Sequence, residues 1–518
     1  MTKKILIIAL IQLTQLNSLI AQDGILDASF DSDGIVTMDI NNTNDVMKAI
    51  LTQPDGKIIV AGHTTEMDLT RFCVIRFNSD GSLDTSFGSD GGVVMPFPFT
   101  SHASATALQN DGKIVVAGVA SPMNEEGFAV VRFNADGTLD TNFGEGGIVH
   151  TSLPGGVVSK SMEIQPDGKI IVGGELYDNP PDGTSLVMVR YNQEGTLDSS
   201  FGIGGVSVTD VVAGSSLSAL DMLNDIAIQQ NGKIVACGFS GPNSTLLRFN
   251  SDGNLDLSFG LNGIWTQNFS SIGNSGFNSA DIQQDGKIVS VGFSTDLNGS
   301  NDLLLTRHVA DGSLDVSFGD SGIILTSLSP GQDGAEDVIV QADTKLLVGG
   351  FAVDSISRFV LARYDAAGNL DLSFGENGVV KTTIDPAGNR LSAIAIQADG
   401  KILATGVSGN APSDVAIVRY TSTLLSDREQ EYIIENVSIY PNPSQDEVVV
   451  AFASKLKGDV WIKVFDSTSR LLLEKTNLSI TPGVTKRETL ELGAFSSGIY
   501  FITIGMMDSH KTFKIMKK

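Results

Sequence analysis

The sequence predicts an all-β chain: a seven-bladed β-propeller closed by its N-terminal strand, followed by a small β-sandwich. Three observations predict it. Two short markers recur seven times in step. Each unit reads as short apolar runs joined by tight turns. The pattern stops after Tyr420, where a different alternating pattern begins. Repeated four-stranded units are the signature of a propeller, which takes about four to eight blades.

Lys3 and Lys4 open the chain, Ile5 to Ile20 is mostly apolar, and Ala21 precedes Gln22. This predicts a secretory signal peptide over 1–21, cleaved after Ala21. Its apolar core is too short to span a bilayer, so no transmembrane segment is expected in the mature form. The expected location is secreted or outer-membrane surface, reached through the periplasm. The formal net charge of −26 excludes a nucleic-acid partner, because phosphate binding needs a basic surface. The 56 Gly against 15 Pro suit many tight turns.

The propeller is expected over 22–420. Its first marker is the turn Asp55-Gly56-Lys57, repeated at Asp111, Asp167, Asn231, Asp285, Asp343 and Asp399, with Thr344 replacing one Gly. The second is Phe30, Phe87, Phe143, Phe201, Phe259, Phe318 and Phe374, each followed four residues later by Gly. In Gln53-Pro54-Asp55-Gly56, Pro presets φ, Asp caps the turn and Gly supplies the left-handed position. The segment VVRFN-ADG-TLD repeats this, so two hairpins per unit are expected.

Two polar positions also recur. Arg76, Arg132, Arg190, Arg248, Arg307, Arg363 and Arg419 end the third strand, and Asp84, Asp140, Asp198, Asp256, Asp315, Asp371 and Asp27 follow the second turn. A bulged turn sets Arg76 opposite Asp84 and Phe77 opposite Leu83, so a structural ion pair is expected in every blade. Arg132–Asp140 is another, and Arg419–Asp27 joins the two ends. The alternative is calcium on Asn78, Asp80 and Asp84, although the loop lacks the closing Glu of an EF-hand. The phase supports closure: 24–36 supplies only the last part of a unit, and 391–420 only the first.

The Asp-Gly-Lys turn, the VRF strand and the LDxSFGxxG tail resemble the delta-60 repeat of exported bacterial proteins, and are similar to NHL-type propeller repeats. The resemblance implies a propeller and brings no reaction with it.

Residues 421–436 read as a polar linker. Alternating strands then predict a sandwich over 437–518. Tyr440-Pro441-Asn442-Pro443, Val464-Phe465-Asp466, Gly498-Ile499-Tyr500 and the end through Lys511, Lys514, Lys517 and Lys518 resemble the type A sorting domain of type IX secretion. The resemblance implies the type IX machinery as partner and removal of the domain on export. Charge divides the same way, with +3 on 437–518 and −31 on 22–436.

No HExxH, CxxC pair or GxSxG occurs. The expectation is therefore no enzyme, no catalytic residue, no cofactor and no metal. Cys73 and Cys237 fall in apolar strands of different units and are expected free. The unrepeated positions are the insertions 174–185 and 212–225 and Trp265, the propeller's one Trp; recognition can sit there, but tolerated surface insertions and, for Trp265, ordinary packing are the favoured reading. Three functions remain: a surface binding or structural module for a glycan or surface protein, an extracellular enzyme on polysaccharide, or a calcium-stabilised adhesin. Unrepeated Asp, Glu, His and aromatic residues meeting in one central pocket would favour the enzyme.

Overall fold

The computed structural model describes residues 23–518 except 41, 67–68, 123–124, 178–182, 212–220, 411, 423–433, 455–457, 467–469, 482–484 and 507–508. The expected signal peptide lies outside the described residues, as do parts of the linker and of both insertions. The chain divides into two compact units, 1–422 and 423–518.

The first unit contains seven antiparallel four-stranded sheets, one per repeat. In blade 1 the strands Asp45–Thr52, Ile58–Glu66, Leu69–Phe77 and Gly92–Val94 pair in sequence order. The second expected hairpin is shorter than the sequence suggests. Its return arm makes a single bridge, Phe77 to Leu83. Asp84 then turns the chain, with Phe87 N bonding Asp84 O, and the outermost strand begins only at Gly92.

Apolar cores lie between neighbouring blades. Phe72 and Phe87 of blade 1 pack with Ile114, Val116 and Phe133 of blade 2. Phe87 is fully buried, as are Phe30, Phe143 and Phe201; such burial stabilises by roughly 1.5–3 kcal/mol per ring. Gly81 lies against the Phe30 ring of the preceding blade, where a Cβ would come within 3.0 Å, and its φ is +90°.

Closure follows the phase of the repeats. Strand Ile35–Met38 pairs with Asp414–Tyr420, with Ile35 opposite Val418, and becomes the outer strand of blade 7. Gly24 N bonds Thr421 O at 2.7 Å and Thr421 N bonds Ile25 O at 2.7 Å. Elsewhere Gly81 N bonds Asn78 O and Asn78 N bonds Ser82 O. The same turn is thus rebuilt from the two ends of the chain. It begins one residue earlier than the expected 24–36, because Asp23 takes the turn's Asp position: Gly375 N bonds Asp23 O as Gly88 N bonds Asp136 O.

The second unit is a sandwich of a three-stranded and a four-stranded sheet around Val448, Val450, Phe452, Ile462, Val464, Ile502 and Ile504. Its first strand, Ile434–Tyr440, starts inside the stretch read as linker. The described residues contain no helix long and apolar enough to cross a membrane.

Candidate functional site

Two groups of side chains stand out, one repeated in every blade and one in none. The repeated group is the Arg–Asp pair. Arg76 Nε lies 2.7 Å from Asp84, Arg132 Nε 2.8 Å from Asp140 and Arg419 Nε 2.9 Å from Asp27. The four other blades match at 2.7 to 2.9 Å.

The sequence reading missed two further members. The Lys of each Asp-Gly-Lys turn reaches the same carboxylate, as Lys57 does to Asp84 at 2.8 Å and Lys401 to Asp27 at 3.3 Å. Each guanidinium also stacks on the marker Phe, Arg76 over Phe87 at 4.6 Å and Arg419 over Phe30 at 4.5 Å. The free arm of Arg132 donates to Gln193 O of the next blade at 2.5 Å, and Arg419 donates to Ser79 O of blade 1. Arg363 faces the rebuilt turn and pairs instead with the Asp23 carboxylate at 2.8 Å.

Burial alone would raise the Asp27 pKa, but hydrogen bonds from Ser29 and the charges of Arg419 and Lys401 outweigh it and hold Asp27 at about 2. The loop considered for calcium has its acids engaged in the same way. Asp80 accepts from Ser82 N at 3.0 Å and Ser82 Oγ at 2.6 Å, and Asp84 meets Arg76, Lys57 and Ser86. This group joins blades.

The unrepeated group lines the central channel. Each innermost strand carries one β-bulge, marked by a register shift at the same place. Opposite each bulge the second strand has Gly; at Gly62 a Cβ would lie 1.9 Å from Val46 O. Extra residues at bulges re-aim side chains. Here they are Lys48, Ser104, Lys160, Asn224, Asn278, Glu336 and Ser392. All seven line both channel cavities, of about 660 and 650 Å³.

At the mouth, in the second cavity, the ring is joined by His63, His102, Glu126, Tyr177 and Arg390. The two imidazoles meet edge to face with centroids 5.2 Å apart. Burial, with the neighbouring His102 and Lys48 charges, pushes His63 down to about 4, and burial and Lys48 lower His102 as well; both rings are neutral at pH 7. Arg390 reaches Glu336 Oε1 at 2.8 Å and lies 4.8 Å over the Phe351 ring. Lys160 Nζ is 3.2 Å from buried Glu175. Lys48 has no hydrogen-bond or ion-pair partner among the described residues, and burial lowers its pKa.

One step deeper the channel turns acidic. Ser161, Asp225, Ser279 and Asp337 form a hydrogen-bonded arc across blades 3 to 6. Ser161 Oγ donates to Asp225 at 2.7 Å, and Ser279 Oγ lies 3.0 Å from Asp225 and 3.1 Å from Asp337. A hydroxyl has one proton, so both contacts are hydrogen bonds only when one carboxyl is itself protonated. Asp337 also accepts Ile394 N of blade 7 at 2.8 Å. Burial raises Asp337 to about 7 and, with the nearby Asp225 and Asp281, raises Glu163 to about 8.

Trp265 and the two cysteines are packed inside the fold, whereas the two insertions reach the channel. Trp265 packs 4.4 Å from His308, which is fully buried and bonds Gly312 O at 3.0 Å. Cys73 and Cys237 are free and buried. Segment 174–185 is only partly described, but brings Tyr177 to the mouth and Glu175 to Lys160 behind it. Segment 212–225 ends in the blade 4 inner strand, Asp221–Ile228, and supplies Asn224 and Asp225.

In the second unit the sorting residues meet each other. Asn442 Oδ1 accepts Met516 N at 3.0 Å, and Ser444 N bonds Met516 O at 2.9 Å. Lys518 N bonds Ser444 O at 2.9 Å. Tyr440-Pro441 and Asn442-Pro443 are both cis. Gly498 pairs with Lys517, and Tyr500 donates to Ser496 O at 2.7 Å. Lys517 is not part of a solvated tail: it is buried and donates to Leu492 O at 2.6 Å, Gly493 O at 3.2 Å and Phe495 O at 2.5 Å.

Comparison with known proteins agrees with this architecture. Residues 53–87, 109–143, 165–201, 229–259, 283–318, 341–374 and 397–423 match the β-propeller domain of unknown function DUF5122. Residues 438–518 match the secretion system C-terminal sorting domain. No curated protein matches the sequence.

Among solved structures, PorZ of the type IX secretion system of Porphyromonas gingivalis is similar at 14% identity and TM-score 0.40. The likeness covers 93% of this chain and 61% of that one, so the chain spans about three fifths of PorZ. A virginiamycin B lyase of Staphylococcus aureus is similar at 11% identity and TM-score 0.40, over 75% and 99% of the two chains. A PL25 ulvan lyase is similar at 10% identity and TM-score 0.42, over 76% and 98%. The chain is a DUF5122 β-propeller protein with a C-terminal sorting domain that directs it through type IX secretion to the cell surface or the medium.

Proposed function

We propose that the exported propeller is a non-catalytic binding module whose ligand seats at the mouth of the central channel. The observation that carries this reading is the bulge ring. Seven equivalent positions bearing four kinds of side chain, Lys, Ser, Asn and Glu, converge on one opening, on a scaffold that otherwise repeats. Recognition commonly sits on varied residues held by a rigid frame. A cavity of about 650 Å³ suits a small ligand or the end of a glycan chain.

The test is a glycan screen on the full chain, repeated with Ser392→Trp, which fills the channel from a position with no polar partner. Binding that Ser392→Trp abolishes at unchanged Tm supports the seat. Binding that survives the plug places the ligand elsewhere. An enzyme acting on polysaccharide is the second reading, favoured by His63, His102 and Tyr177 in the same cavity. Release of shortened oligosaccharides on prolonged incubation would establish it over simple binding.

A further inference from the structure

We infer that the channel mouth takes an anionic sugar residue, its carboxylate or sulfate held by Lys48 and Lys160. This rests on the reading that the mouth is the ligand seat, and it adds the ligand's charge.

The first argument is the uncompensated charge. The propeller and linker carry −31, yet three cations converge on this opening. Arg390 is engaged by Glu336, and Lys160 leans on Glu175. Lys48 makes no hydrogen bond or ion pair among the described residues; its side chain is exposed to the channel, and only the more distant Glu336 charge favours its ammonium against Arg390 and Lys160. A cation with two like charges beside it and no direct partner gains when an anion joins it. Lys48 and Lys160 stand on the same ring two blades apart, so one anion entering the mouth meets both.

The second argument is what surrounds them. His63 and His102 are neutral and offer ring nitrogens to hydroxyls rather than charge to an anion. Tyr177 is 41% exposed at the rim, a flat face for a sugar ring. Beneath the lysines Asp225, Asp281, Asp337 and Glu163 line the channel, and no Lys or Arg other than Lys48 and Lys160 lies among the described residues there to draw an anion deeper. The charge therefore stops at the level of the ring. The fit is end-on, with one anionic residue in the cavity and the rest of the chain outside.

Calorimetric titration of the full chain with three trisaccharides tests this: trigalacturonate, a sulfated galactose trisaccharide and neutral galactotriose. Lys48→Met, Lys160→Met and Ser392→Trp are titrated beside the parent, with Tm as the folding control. At least one anionic ligand should bind, and the neutral one at least tenfold more weakly. Lys48→Met should remove most of that difference at unchanged Tm, with Lys160→Met the smaller effect. Comparing the carboxylate and sulfate arms tells which group the seat prefers. Equal binding of neutral and anionic ligands, or a Lys48→Met protein that still prefers the anion, overturns the inference while leaving the seat intact if Ser392→Trp blocks binding. Binding that Ser392→Trp does not block overturns the seat itself. No binding of any of the three overturns the saccharide class.

Discussion

The Arg–Asp–Lys–Phe cluster and the channel ring occupy the same seven blades and obey opposite rules. The cluster keeps one chemistry seven times, even where the chain is cut: Asp27 and Asp23 come from the N-terminus to serve Arg419 and Arg363. The channel ring keeps one geometry seven times and varies its chemistry at every step but one, Asn224 to Asn278. A blade-to-blade joint must be the same at each joint for a ring to close. A recognition surface gains nothing from being the same.

The largest effect that would break this comparison is at the seam. Deleting 23–38 removes the outer strand of blade 7, the partner of Arg419 and the Asp23 pairing of Arg363. The whole propeller should lose its cooperative melting transition, because closure satisfies two sheet edges at once. A truncated chain that melts like the parent would show the ring to be held without the seam.

Next is a pair of substitutions. Arg132→Ala leaves Asp140, 3% exposed, with Lys113 and the Asn142 N–H, and should cost about 3–5 kcal/mol, as loss of one partner of a buried pair does. Ser392→Ala in the channel ring should change stability by less than about 0.5 kcal/mol. Denaturant titration of both checks this. Similar losses at the two sites would erase the distinction between joint and channel.

A smaller effect is expected in the sorting domain. Lys517→Met takes the ammonium donor from three carbonyls, of which Leu492 O keeps Phe495 N, and should cost about 1–3 kcal/mol, measured on the full chain as a shift of the second unit's transition alone.

The smallest is the pH profile, in which the two groups should pull in opposite directions. Asp27 has a depressed pKa of about 2, so its contribution is present above about pH 4 and lost as pH falls toward 2. Asp337 and Glu163 are raised to about 7 and 8. They favour the fold most below about pH 4, and that contribution is lost as pH rises through 7 and 8. Tm should therefore peak between these limits. Glu163→Gln should flatten the alkaline side and leave the acid side unchanged; a slope that stays would remove the channel carboxyls as its cause.

The joints were legible in the sequence because the same residues recur in phase, and offset alone pairs Arg76 with Asp84. The sandwich and its motif residues were legible from strand alternation and turn residues. The channel was not, because a search for repeats passes over positions whose identity changes. Yet the signal was present. Lys48, Ser104, Lys160, Asn224, Asn278, Glu336 and Ser392 each stand nine residues before the turn Lys, and a Gly follows each turn Lys five residues on. That Gly is where the bulge needs space, so it marks the strand position that points inward. The acid arc was out of reach, since nothing in a linear chain says that Asp225 and Asp337 share one serine.

The rebuilt turn has a topological consequence. Thr421 and Gly24 bond as though they belonged to one turn, with Ser422 and Asp23 taking its two middle places, so a single peptide bond would make the propeller a closed loop of chain. In such a loop no blade is first. The chain could be opened instead at any other Asp-Gly turn and re-enter the same structure, as a circular permutant with the sorting domain leaving from a different blade.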